Sequence, residues 1–455
     1  MPKLFGTFGV RGVVNQELTP EFGFEMGLAL ATYMKGSGKV AVGYDTRTSS
    51  VMFEQAITAG LISGGCDVVA IGTSPTPVLS FAIRHFSCDA GVMITASHNP
   101  PQYNGIKLWD SDGGAFPREG EREIERIISE KSWKRASWDK IGKIGKADAL
   151  TPYIKGILNR IPKFKRKLKV VVDCANATGS LVTPRLLREL GCKVISMNCQ
   201  IDGTFPGRNP EPTPENIKEL SKAVVACGAD LGVAHDGDAD RTAIVNEKGE
   251  VLAGDRVFAL VAFHHLRGKK NPKIVTDISV SSVLDDVARE LGGSVVKTLV
   301  GEPEIAREIR EHGCELGGEE TGSVIFPDWA LCREGVMTAL KFIEALIQSG
   351  KKVSEFDRTL PQYFLTKQKI KCPNEIKGQV LNLLSERFAR YKLNRIDGLR
   401  VDFDDGWLLL RPSGTEPIFR CFSEAKNSER AKELAELGMR ELEACAKTVG
   451  SKPKN

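Results

Sequence analysis

LKVVVDCAN, Leu168 to Asn176, is the stretch on which the fold turns. Its short apolar run has a basic lead-in and a polar exit, the pattern of a strand buried on both faces. The helical TPRLLREL follows, then GCKVISMN (Gly191 to Asn198) and ADLGVAHDGDADR (Ala229 to Arg241). The same order occurs upstream as KVAVGYD (Lys39 to Asp45), a helical stretch, GCDVVAIG (Gly65 to Gly72) and a third strand ending in TASHN. It recurs more loosely downstream as KIVTDIS (Lys273 to Ser279), SVLDDVARELGG, SVVKT (Ser294 to Thr298) and CELGGEETG (Cys314 to Gly322). Short apolar runs alternating with amphipathic stretches predict an α/β fold: three similar domains with mixed, mostly parallel sheets. Each repeat ends its third main strand in a polar loop containing glycine, where open α/β sheets bind ligands. The loops are therefore expected around a central cleft.

After about Thr366 the pattern changes to a helix, the hairpin-like RVDFDDGWLLLRPSGTEPIFRCF and an amphipathic helix from about Ser428 to Lys447, which reads as a smaller C-terminal α+β domain. The boundaries this suggests are 1–147 for the domain of the serine loop, 148–250 for the acidic loop, 251–365 for the GGEETG loop and 366–455 for the last domain. The chain has 455 residues, 41% hydrophobic and 27% charged, as in ordinary globular proteins. No apolar run approaches the ~18 residues of a membrane span, and MPKLFGTFGVRG lacks the apolar core of a signal peptide. The 11 cysteines are scattered, odd in number and without a C-x-x-C pair, which points to reduced thiols and a cytoplasmic setting. A net charge of +5 suits anionic small molecules and does not imply nucleic acid; KFKRKLK (Lys163 to Lys169) reads as a solvated connector.

In HDGDADR, Asp236, Asp238 and Asp240 alternate with Gly237 and Ala239. In an extended loop such residues point the same way, so three carboxylates can meet at one point and hold a hard divalent cation, magnesium before calcium. Glu247 falls at the twelfth position of an EF-hand count, but Arg241 stands where that loop needs glycine, and the flanks look like strands. Arg241 beside the acids suggests an anionic partner. In RPSGTEPIFR, Arg411 and Arg420 supply guanidinium forks, and Ser413, Gly414 and Thr415 supply hydroxyls and close N–H groups, which suits a phosphate. A plain turn between strands is the competing reading. GSGK at Gly36 to Lys39 leads into a strand and lacks the spacing of a phosphate loop. In GGEETG, Glu319 and Thr321 can grip vicinal hydroxyls or serve equally as a helix cap. Ser97 beside His98 invites a hydrolase reading, but G-x-S-x-G is absent and the base of a triad is placed by the fold, not by adjacency. A phosphoryl carrier is the economical role.

TASHNP (Thr95 to Pro100), DGDADR (Asp236 to Arg241), GGEETG (Gly317 to Gly322) and RPSGTEP (Arg411 to Pro417) stand in the order found in the α-D-phosphohexomutases. That family includes phosphoglucomutase, phosphomannomutase and phosphoglucosamine mutase. FGTFGVRG, YNGIKL and DGTFPGRNPEPTPEN also resemble family signatures, and the similarity runs from about Leu4 to Lys447. The resemblance implies four domains around the cleft and an isomerase that carries its phosphate on Ser97. It implies Mg2+ on Asp236, Asp238, Asp240 and an oxygen of phospho-Ser97. His98, Lys107 and Arg11 match positions tied to proton transfer and phosphate stabilisation. Arg241 would lie near the transferring phosphate, Glu319 and Thr321 on the sugar hydroxyls, and Arg411, Ser413, Gly414, Thr415 and Arg420 on the non-reacting phosphate. The substrate would be a hexose 1-phosphate or 6-phosphate, of glucose and/or mannose, through a 1,6-bisphosphate that also activates the enzyme. Phosphoglucosamine is the alternative substrate; a metal-dependent sugar phosphatase and a non-catalytic sugar-phosphate binding protein are the readings from other classes. No nucleic acid or membrane partner is expected, and a homodimer is compatible. The sequence departs from many members at Ser323, where they have histidine, at VGEPEI (Val300 to Ile305), where some carry a histidine after the glycine, and at Tyr44, where arginine is frequent.

Overall fold

The computed structural model describes residues 4–6, 8–414 and 416–450, so Thr415 of the candidate phosphate loop lies outside the described residues. The chain forms two compact units, Met1–Arg267 with Gly301–Asp357, and Gly268–Val300 with Arg358–Asn455.

The first unit holds a six-stranded sheet in the order Val10–Val13, Tyr103–Asp110, Ala90–Ile94, Lys39–Tyr44, Asp67–Thr73, Ile144–Lys146. Its middle is parallel, Lys39–Tyr44 pairing with both Asp67–Thr73 and Ala90–Ile94, and Tyr103–Asp110 turns back antiparallel. Every residue of Ala90–Ile94 is buried, which is why the run is apolar without alternation. The helix Pro20–Tyr33 begins where Thr19 Oγ1 accepts from the Phe22 amide and Pro20 supplies a preset φ. A second sheet runs Thr242–Val245, Leu231–His235, Lys169–Asp173, Lys193–Met197, with Lys169–Asp173 parallel to both neighbours. From the third repeat this unit takes the short antiparallel pair Leu316–Gly318 and Val324–Ile325 and the helix Gly335–Ser349.

The second unit contains the parallel pair Lys273–Asp277 and Ser294–Thr298 and a five-stranded antiparallel sheet. The sheet order is Phe364–Lys371, Ile418–Ala425, Gly406–Pro412, Leu399–Phe403, Lys392–Asn394. The helices Lys377–Arg387 and Ser428–Gly450 share its core with Leu399, Val401, Leu408, Phe419 and Cys421. The sequence pattern places a helix first after Thr366, whereas the structure begins with the strand Phe364–Lys371, none of whose residues is fully buried. That edge strand has eight register partners on Ile418–Ala425, and of its side chains Leu365 and Ile370 pack, partly buried, against hydrophobic clusters. Among the described residues no helix is long and apolar enough to cross a membrane.

Candidate active site

Ser97 sits just past the buried strand Ala90–Ile94, fully buried and in the left-handed region at φ 52°. That conformation costs a non-glycine residue about 1–2 kcal/mol, so the loop must be held from outside. Arg47 holds it. Its Nη2 donates to the carbonyls of Ser97 (2.9 Å) and Asn99 (2.7 Å), and Nη1 to those of Pro100 (2.6 Å) and Tyr103 (3.0 Å). Its Nε pairs with Asp45 Oδ2 at 2.9 Å. Asp45 also accepts from Thr95 Oγ1 at 2.7 Å, and Thr95 Oγ1 accepts from the Ser97 amide at 2.8 Å.

Asp236 to Arg241 link the antiparallel strands Leu231–His235 and Thr242–Val245, in which His235 and Thr242 are register partners. The three aspartates are fully buried, and one oxygen from each lies within 4.8 Å of the others. The loop meets the serine loop directly: Ser97 Oγ donates to Asp236 Oδ2 at 2.7 Å. A Cβ on Gly237 would collide with the Ser97 carbonyl oxygen, so this close approach requires glycine. Lys107, also buried, reaches Asp238 Oδ2 at 2.9 Å and Asp240 Oδ2 at 3.5 Å, and Thr76 Oγ1 donates to Asp238 Oδ2 at 2.7 Å. Arg208 braces the hairpin from DGTFPGRNP through the His235 carbonyl and the Asp173 carboxylate.

The electrostatics follow from burial. Burial, then Asp240 and Asp238, push Asp236 well above the usual carboxylate range. Burial, the largest single influence, pushes Asp238 the same way, but Lys107, Thr76 and Asp236 together outweigh it and Asp238 ends lowered. Burial lowers Lys107, yet Asp238 and Asp240 leave its ammonium above the ordinary lysine value. His98 is drawn down to about 2 by burial and then by Arg241, Arg11 and Arg333, so its imidazole is neutral near pH 7. Arg11 Nη1 donates to Asn99 Oδ1 at 2.9 Å. Arg241 lies 3.4 Å from Glu211, and its amide donates to Asp236.

The donor set fits a divalent cation. It is all oxygen, and Asp238 Oδ1 and Asp240 Oδ1 are buried and accept no hydrogen bond, with only Arg241 Nε at 3.9 Å from Asp240 Oδ1, an expensive state for carboxylate oxygens that a divalent cation would relieve.

Glu319 is buried and pairs with Arg333 at 2.7 Å, and Thr321 Oγ1 is a buried hydroxyl without a partner. Ser323 is occupied: its Oγ accepts from the Thr242 amide at 3.1 Å, tying the GGEETG loop to the acidic hairpin. Glu302, in the VGEPEI segment, is buried at the start of the helix Glu302–His312, and its carboxyl is raised to about 7, chiefly by burial.

In the second unit Arg411 and Arg420 are cross-strand partners and so share one face of the hairpin. Arg411 Nε pairs with Asp397 at 2.7 Å and Arg420 with Glu416 at 3.1 Å. Ser413 is buried, Gly414 is exposed, and Lys377 Nζ ties the loop shut through the carbonyls of Ser413 and Glu416 and Asn374 Oδ1, each at 2.6 Å.

The structure thus brings Ser97, His98, Lys107, Arg11, Arg241 and the three aspartates together, with Glu319 joined to them through Arg333. Sequence reading missed Asp45, Arg47, Thr76, Arg208, Arg333 and Lys377. Asp45 and Arg47 carried a signal, as polar residues at the end of a buried strand in GYDTR, and Arg208 lies within DGTFPGRNPEPTPEN; the others carried none.

The chain matches the family models described as phosphoglucomutase/phosphomannomutase alpha/beta/alpha domains I, II and III and C-terminal domain, at residues 2–135, 151–249, 253–364 and 368–439. It is 48% identical to a phosphoglucomutase/phosphomannomutase of Thermococcus kodakarensis over 98% of this chain and 100% of that one. It is 46% identical to a protein of Methanopyrus kandleri named probable phosphoglucosamine mutase, over 99% of this chain and all of the other. A crystal structure of a phosphoglucomutase/phosphomannomutase family protein from Burkholderia thailandensis superposes with a TM-score of 0.89 at 28% identity, covering 97% of both chains.

Proposed function

The chain belongs to the phosphoglucomutase/phosphomannomutase family, and from that premise we propose how its residues carry out a phosphohexomutase reaction. The enzyme is an isomerase that moves a phosphoryl group within a hexose phosphate. Ser97 is its carrier. Phospho-Ser97 gives the group to the free hydroxyl of a glucose or mannose monophosphate: the bond from phosphorus to Ser97 Oγ breaks, a bond to the sugar oxygen forms, and the proton lost by that hydroxyl is balanced by one gained at Ser97 Oγ. The resulting 1,6-bisphosphate turns end for end and returns its other phosphate to Ser97, and added hexose 1,6-bisphosphate activates by charging the serine. Asp236, Asp238, Asp240 and an oxygen of phospho-Ser97 would hold Mg2+, which when bound offsets charge on the transferring group. Lys107, Arg11 and Arg241 meet the phosphoryl oxygens, while neutral His98 serves as a hydrogen-bond partner. Glu319 and Thr321 take the sugar hydroxyls, and Arg411, Ser413, Gly414, Thr415 and Arg420 take the other phosphate. We assign the reaction to the cytoplasm; light scattering decides between monomer and homodimer.

The observation that carries this reading is Ser97 Oγ donating at 2.7 Å to Asp236 Oδ2, in a triad where Asp238 Oδ1 and Asp240 Oδ1 accept no hydrogen bond. The test is to supply glucose, mannose or glucosamine 1-phosphate with Mg2+ and glucose 1,6-bisphosphate, and to follow 6-phosphate against free phosphate. Sugar 6-phosphate as the main product supports the mutase; free phosphate marks a phosphatase, and no turnover marks a binding protein. A preference for glucosamine 1-phosphate in kcat/KM would favour the second reading, which the 46% identity to the Methanopyrus protein supports.

A further inference from the structure

One buried cation belongs to no motif. The guanidinium of Arg333 is shared by three carboxylates: Nη2 lies 2.7 Å from Asp240 Oδ2, Nη1 2.7 Å from Glu319 Oε2, and Nε 3.0 Å from Glu302 Oε2. These acids come from separate places in the chain: the acidic hairpin, the GGEETG loop and the start of the helix Glu302–His312. The arginine itself is rigidly mounted. The next residue, Glu334, caps the helix Gly335–Ser349 by accepting from the Met337 amide at 3.0 Å. Its other oxygen accepts from Tyr153 Oη (2.6 Å) and Trp329 Nε1 (3.0 Å). Gly335 presses on the acidic hairpin so closely that a Cβ would collide with the carbonyl oxygens of Ala239 and Arg241.

Such a fork does two opposed things. It fixes the orientation of Glu319 from one side, which a point-charge ammonium cannot do while also spanning to Asp240. It also puts a fixed positive charge on Asp240, where a divalent cation would compete for the same carboxylate. We propose that Arg333 is a positioning residue that couples the two sites, holding Glu319 ready for sugar hydroxyls at the expense of cation affinity at the aspartate triad. This rests on the metal and sugar roles given above. A purely structural arginine would weaken both ligands when removed; a coupling arginine moves them in opposite directions.

The experiment uses the dephosphorylated full-length chain. Mn2+ binding is read by the paramagnetic resonance of the free ion, and glucose 1-phosphate binding by calorimetry in EDTA. Arg333→Met should raise the glucose 1-phosphate Kd at least about tenfold and lower the Mn2+ Kd about fivefold, within the usual range of coupling between sites. Arg333→Lys keeps the charge, so it should weaken the sugar phosphate while leaving Mn2+ unchanged. If Arg333→Met does not fold, the lysine variant decides alone. Parallel weakening of both ligands, or a lysine variant that binds glucose 1-phosphate as the parent does, overturns the coupling. A parent chain that binds neither ligand overturns the metal and sugar assignments themselves, and the coupling with them.

Discussion

Replacing Arg47 with methionine tests how the serine is held. The side chain is fully buried and makes five polar contacts, one to the Asp45 carboxylate and four to carbonyl oxygens between Ser97 and Tyr103. Deleting one member of a buried ion pair costs about 3–5 kcal/mol, because the other charge is left uncompensated. Each hydrogen bond from a charged donor is worth about 1.5–3 kcal/mol in isolation. These contacts share one guanidinium, so they do not add, and carbonyls freed at the loop can turn to water. A stability loss of about 4 kcal/mol is therefore expected. If about 2 kcal/mol of it is released by Ser97 leaving its left-handed conformation, the poised serine falls about 30-fold in population. Urea unfolding followed by circular dichroism reads the first quantity, and kcat with phosphate incorporation at Ser97 reads the second. Arg47→Lys should recover part of the stability and little of the activity, since an ammonium cannot reach all the carbonyls. A methionine variant within about 1 kcal/mol of the parent and with unchanged kcat would refute the claim that Arg47 sets the serine loop.

Three further outcomes follow from the same geometry. Gly237→Ala should separate the acidic hairpin from Ser97, because the new Cβ meets the Ser97 carbonyl oxygen; a loss of about 100-fold in kcat with unchanged circular dichroism is expected for a misplaced reacting group. Lys377→Met removes the donor that closes the loop of Ser413 and Glu416, so KM for the sugar phosphate should rise about tenfold, the loss of about 1.4 kcal/mol, while bisphosphate still phosphorylates Ser97. Mg2+ at about 100 times its Kd should stabilise the protein by about 2.7 kcal/mol, seen as a rise in Tm that EDTA reverses and that Asp238→Asn blunts.

What was legible in the sequence divides along physical lines. Parallel strands covered on both faces write continuous apolar runs, so Lys39–Tyr44, Lys169–Asp173 and Lys273–Asp277 declared themselves and their repetition gave the domain plan. The strand Phe364–Lys371 wrote nothing comparable, because an edge strand with only Leu365 and Ile370 against hydrophobic clusters writes no continuous apolar run. In the site, Asp236, Asp238 and Asp240 were readable because their clustering is local. Arg333 was not: its partners lie 93, 14 and 31 positions away, and only the fold brings them to one guanidinium. Arg47 stood in view in GYDTR, but the carbonyls it holds lie 50 or more positions away. The rigidity of the serine loop could be sought in Pro100 and Pro101, the visible local stiffeners, while the stronger hold comes from a guanidinium 50 residues upstream of Ser97. Ser323, a departure from the family pattern, accepts from the Thr242 amide through its hydroxyl.

The proposed role of Ser97 is to carry phosphate between the two ends of a sugar. It is tested most directly by treating the purified enzyme with glucose 1,6-bisphosphate and Mg2+, mapping phosphate by peptide mass spectrometry, and chasing with glucose 1-phosphate. Phosphate is expected on Ser97 and is passed by the chase to the sugar, with no incorporation and no mutase turnover in Ser97→Ala. Phosphate on another residue, or turnover that survives in Ser97→Ala, would contradict it.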